Sequence, residues 1–293
     1  MYVPRWFLAL AIGVLELTAC HPSAADKPIP KKEPAMSQEV SIKLGELGPD
    51  FAKRYPTVVK VQHQPAGVDF YGIDWDKRPR GVVHFQKGNA SLVIEDVLGI
   101  SAMQDLGALK AEGFSELNVF AGVTEPDLIS HDEARLKTYA LLRRLLDTGW
   151  KSTIARSRPR LAGKERLAYV LNVTNSIDLD PSYLPTFEEW MLIPSHTGWR
   201  LYADRVFMDI NFTRESTLTD PAKPGSYLLT FKITSETEHF RSYVESEDRP
   251  RWKELLPAIL SKLAATRAQR EAELKAKGVT IDETYQDPPL PKL

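Results

Sequence analysis

The chain has 293 residues, 43% of them hydrophobic and 26% charged, with 38 Lys and Arg against 39 Asp and Glu and a net charge of -1. That balance argues against a nucleic-acid partner, because a polyanion binder carries a basic excess or stripe. One cysteine cannot form a disulfide within the chain, so stability has to come from a buried core, which about 250 residues can supply.

The N-terminal segment carries a positive charge at Arg5 and then runs apolar from Trp6 to Leu15. This is shorter than the roughly 20 residues of a membrane-crossing helix, and it leads to small residues suited to cleavage. Leu17-Thr18-Ala19-Cys20 resembles the lipobox of bacterial lipoproteins. The resemblance implies that residues 1–19 are a signal peptide and that Cys20 is lipidated and becomes the mature N-terminus. Because His21 rather than aspartate follows Cys20, it also implies anchoring at the periplasmic leaflet of the outer membrane. Each buried CH₂ contributes about 0.8 kcal/mol, so two or more acyl chains make a durable anchor. Lipidation would consume the only thiol, leaving none for catalysis.

Residues 20–39 are rich in proline and lysine and read as an extended tether, with folded structure starting near Val40. Strands are expected over 57–62, 67–74, 81–86, 91–97 and 116–121, with 80–86 and 90–97 forming a hairpin around Lys87-Gly88-Asn89. A short helix is expected over 49–54 and another over 102–111. Ser130 followed by Glu133 signals a helix N-terminus, and Leu141, Leu142, Leu145 and Leu146 give that helix an apolar stripe ending at Gly149. Later strands are expected over 167–173, 190–193, 199–212 and 226–234, the last presenting Tyr227, Leu229, Phe231 and Ile233 to the core. A long helix follows Asp248, bent or split at Pro257, with a solvated charged extension beyond Ala265. The basic residues Arg156, Arg158 and Arg160 read as a solvated loop, and residues 281–293 as an irregular proline-rich tail on which Tyr285 or Leu290 docks.

This order specifies an α+β fold with antiparallel sheets and a few packed amphipathic helices. The stretch 156–163 is the best boundary between a segment 40–160 and a segment 161–280, each with strands followed by a helix, and two related subdomains remain open.

No nucleophile elbow, phosphate-cradling loop, dinucleotide fingerprint or H-E-x-x-H helix is present. The six histidines lack ligand spacing, and His131-Asp132-Glu133 is better explained as a helix start than as a metal or acid-base site, so neither metal nor cofactor is expected. Acidic-aromatic patches at Asp74, Trp75 and Asp76, and at Tyr183, Glu188 and Glu189, are the candidate partner-binding residues, since aromatic anchors dominate interface energies. A third patch places Asp204 and Asp209 around Val206-Phe207-Met208. The layout of lipobox, tether and mixed body resembles the immunity lipoproteins that neutralise phospholipase effectors of type VI secretion. That resemblance implies a membrane-anchored, non-enzymatic module that binds a secreted lipase toxin and occludes it sterically. The alternatives are an envelope hydrolase or carbohydrate-active enzyme using paired carboxylates, and a structural envelope-assembly lipoprotein.

Overall fold

Alternation of buried and exposed side chains sets up the strands, and hydrogen bonding joins ten of them into one sheet. The computed structural model describes residues 38–75, 78–172 and 176–292. The strands are β1 (Glu39–Ile42), β2 (Lys60–Gln64), β3 (Val68–Asp74), β4 (Gly81–Phe85), β5 (Leu92–Asp105), β6 (Phe114–Gly122), β7 (Lys151–Ser152), β8 (Thr197–Ala203), β9 (Val206–Arg214) and β10 (Tyr227–Ser235). Across the sheet the order is β1-β4-β5-β6-β10-β9-β8-β7, and β3 followed by β2 joins at β5. Every pairing but β1 with β4 is antiparallel. The 14-residue β5 is the spine: 92–97 pairs with β4, 99–105 pairs with β3, and its other edge pairs with β6. With the helices α1 (Gly48–Arg54), α2 (His131–Asp147), α3 (Gly163–Leu171), α4 (Phe187–Leu192), α5 (Glu236–Arg241) and α6 (Trp252–Ala276), this is an α+β fold.

The period of two decides which face is core. In register across five strands stand Ile100, Val119, Phe231, Ile210 and Trp199, none more than 4% exposed, and fully burying such side chains contributes roughly 1.5–3 kcal/mol each. Leu142 and Leu145 of α2 and Leu167 and Val170 of α3 join this core. Trp190 of α4 stacks on Phe212 with centroids 4.9 Å apart, and Phe51 of α1 meets Phe114 edge-on at 5.7 Å. The opposite face carries a smaller cluster of Phe207, Phe240, Trp252 and Leu256 beneath α5 and α6.

Strands on either side of 156–163 share this sheet, β6 pairing with β10 from residue 116 to residue 122, so that stretch does not divide the core. Nor is it a solvated loop. Arg267 donates to the carbonyls of Arg158 and Ala155, Arg270 to that of Ser157, and Arg160 is held by both carboxylate oxygens of Glu271. The far half of α6 is therefore a clasp rather than a solvated extension, and α6 runs through Pro257 without a break in its assigned span. The tail docks through Tyr285, whose hydroxyl accepts from the Ile154 N–H at 2.8 Å, whereas Leu290 is half exposed.

Four segments take a different form from the one their residues suggest: the first, residues 199–212, expected as one strand, is the hairpin of β8 and β9 with Asp204 and Arg205 at its turn. Residues 102–105, expected as the start of a helix, continue β5, because Ala102 and Gln104 are buried in alternation between strands on both sides. Residues 167–171, expected as strand, belong to α3, where Leu167 and Val170 are buried three apart. Trp190 lies in α4 rather than a strand: the Thr186 hydroxyl accepts from the Glu189 N–H while the Glu189 carboxylate accepts from the Thr186 N–H.

Candidate functional site

Alternation fails inside β5. Ile94 and Val97 are both buried with two polar residues between them, and the register with β4 shifts there. This is a β-bulge, which bends a strand and re-aims its side chains. Its second residue, Asp96, holds a φ of +54°, a left-handed conformation that costs a non-glycine residue about 1 kcal/mol. The bulge carries Glu95 and Asp96 to the edge of a groove of about 490 Å³ between β5 and α2.

The groove has an apolar floor and a charged rim. Ala121, Leu229 and Phe231 come from the buried face of the sheet, and Leu141 from α2. Val93 and Leu128 line it while 52% and 55% exposed. From α2 come Glu133, Lys137 and Arg144, on one face at spacings of four and seven. Glu133 and Lys137 pair at 3.3 Å. The loop after β6 is held by Arg80, which reaches Asp127 at 2.8 Å and also donates to the Trp75 carbonyl, and by Arg78, paired with Glu125.

Electrostatically the rim is acidic. Partial burial, then the charges of Glu95 and Glu125, hold the Asp96 carboxyl above its ordinary range, against the opposing pull of Lys137 and Arg80. An incoming cation would relieve that crowding. Thr138, 1% exposed and also lining the groove, has a hydroxyl without a hydrogen-bond partner among the described residues. Chemically the groove suits an apolar side chain flanked by basic ones.

The residues singled out in the sequence fall elsewhere. Asp74 is exposed at the end of β3 and paired with Lys60 at 2.9 Å. Trp75 cannot anchor a partner: it is fully buried, its ring against Gly81, where a Cβ would come within 2.4 Å. Asp76 and Cys20 lie outside the described residues. Tyr183 and Glu189 are joined through the Tyr183 hydroxyl at 2.9 Å, and Glu189 is committed to capping α4. Glu188 is exposed on the same turn, its carboxyl lowered by its own backbone N–H and the Thr186 hydroxyl. These residues sit on the other flank of α2 from the groove, where Arg135 donates to the Pro185 carbonyl. Asp209 pairs with Arg200 on the opposite face of the sheet.

Sequence reasoning missed Val93, Asp96, Leu128 and Lys137. One signal was available: Leu92-Val93-Ile94 puts a hydrophobe on the outward side of the strand, and Glu95-Asp96 breaks the alternation just after it. Compared with protein-family models, curated proteins and solved structures, the chain matches none.

Proposed function

We propose that this chain is a lipoprotein tethered through Cys20 to the periplasmic leaflet of the outer membrane, whose body binds a protein through the α2 groove. The partner in this reading is a secreted phospholipase toxin, held inactive by steric occlusion, and the chain acts as its immunity protein. The observation that supports it is the groove, where exposed Val93 and Leu128 flank an apolar floor under an acidic rim. Apolar centres with polar rims are the anatomy of protein interfaces. A tether would add to affinity by raising the local concentration of the inhibitor at the membrane.

Three measurements test the three parts. Pull-down from envelope extracts should recover one stoichiometric partner with the wild-type chain and lose it with Val93→Glu and Leu128→Glu together; equal recovery would move docking away from the groove. Co-expression should relieve the toxicity of a neighbouring secreted lipase, and unchanged toxicity would sink the immunity role. Cys20→Ser should release the chain from membranes, whereas persistent acylated, membrane-bound material would refute the anchor.

A further inference from the structure

At the far end of α5, the 3₁₀ turn Ser246–Arg251 leads into α6. The N-terminus of a 25-residue helix carries a partial positive charge, favoured by acids and disfavoured by bases. Arg249, Arg251 and Lys253 stand at this start, no side chain caps it, and two of the acids around it, Asp248 and Glu254, are both drawn to Arg251.

Beside it lies a hollow of about 270 Å³ built from segments far apart in sequence. Arg205 comes from the β8–β9 turn, Arg241 from α5, Arg249 from the turn before α6, Lys253 from α6 and Lys292 from the C-terminal tail. The Arg241 side chain is only 4% exposed and is fixed by Glu112 and Glu238; Arg249 also pairs with Glu238, and Arg205 with Glu236. Five cations thus face three carboxylates. Lys253, whose ammonium lies 5.7 Å from the Trp252 ring centre, and Lys292 have no acidic partner among the described residues. The geometry points to a binding site for a phosphate group, a monoester or a diester, gripped by Lys253 and Lys292 over the fixed arginines. Phosphate supplies negative charge at the positive end of α6 and acceptor oxygens for the ammonium donors. This inference is independent of the α2 groove and of the anchor.

The test titrates the full chain in neutral detergent with inorganic phosphate and with glycerophosphoglycerol, the soluble diester headgroup of phosphatidylglycerol, against chloride at matched ionic strength, following ³¹P line width. Saturable binding is expected, weakened about tenfold by each of Lys253→Gln and Lys292→Gln. Both lysines are exposed, so an unchanged urea midpoint shows that the variants fold. Binding of both probes supports a general phosphate site, binding of the diester alone assigns it to a lipid headgroup, and binding of inorganic phosphate alone assigns it to free phosphate. No binding beyond chloride, or identical titrations of wild type and the double variant, overturns the proposal.

Discussion

Tyr227 and His131, 96 residues apart, meet at 2.5 Å through the tyrosine hydroxyl and Nδ1. The same hydroxyl accepts from Arg214 Nε at 3.1 Å and Trp190 Nε1 at 3.3 Å, so its own proton goes to His131. His131 is then the neutral tautomer whose Nε2–H donates to the Asp220 carbonyl. Arg214 completes the network by donating to the carbonyls of Trp190 and Met191, tying α2, α4, β9 and β10 together. Burial, and then the charge of Arg214, hold the His131 pKa below its ordinary value.

Tyr227→Phe should therefore cost roughly 2–4 kcal/mol, because two buried donors and the His131 acceptor lose their partner together. A urea titration checks it: the midpoint should fall with the m-value unchanged.

Acid should act through His239. Its ring stacks on Phe207 with centroids 3.6 Å apart, and burial followed by Arg200, Arg156 and Lys232 pushes its pKa down to about 3. The unfolded chain titrates near 6.5, so below that pH it takes up a proton that the folded state refuses. Stability from this group is complete above about pH 6.5 and falls as pH drops toward about 3. Between pH 6 and 4, His239→Gln should show a shallower decline than wild type, by nearly one proton, and parallel curves would overturn the assignment.

Gly81→Ala should destabilise by about 1–3 kcal/mol. The added Cβ would lie 2.4 Å from the Trp75 ring, which is fully buried and has no room to yield. Denaturation followed by tryptophan fluorescence reads both the loss and the disturbed ring.

At Asp96, stability and recognition should separate. Asp96→Gly relieves the left-handed backbone and should stabilise by up to about 1 kcal/mol, whereas Asp96→Val should destabilise by a similar amount or more. Both remove the carboxylate, so both should weaken a basic partner. Opposite shifts in stability with equal losses of binding are the expected signature.

Local signals carried much of the fold. Ser130 does accept from the Glu133 N–H to start α2, and Tyr227, Leu229, Phe231 and Ile233 are all 6% exposed or less, as their alternation implied. What escaped was set by distant partners. Residues 102–105 contain Ala, Met and Gln, good helix formers, and only pairing on both sides makes them strand. Trp75 looked like an exposed anchor among aspartates because nothing local shows that Gly81 leaves a slot for its ring. The groove needed β5, β6, β10 and α2 brought together, and 138 residues separate Val93 from Phe231.

The pairing of β10 between β6 and β9 governs how the chain is made. As the polypeptide grows from its N-terminus, β6 is complete at residue 122, yet the strand that covers its edge ends at residue 235. For more than a hundred residues of growth that edge has no native neighbour, and unpaired edges invite aggregation. Chains truncated before β10 should be lost to aggregation rather than persist as half-folded intermediates, so the molecule reaches its working form only when nearly all of it has been delivered.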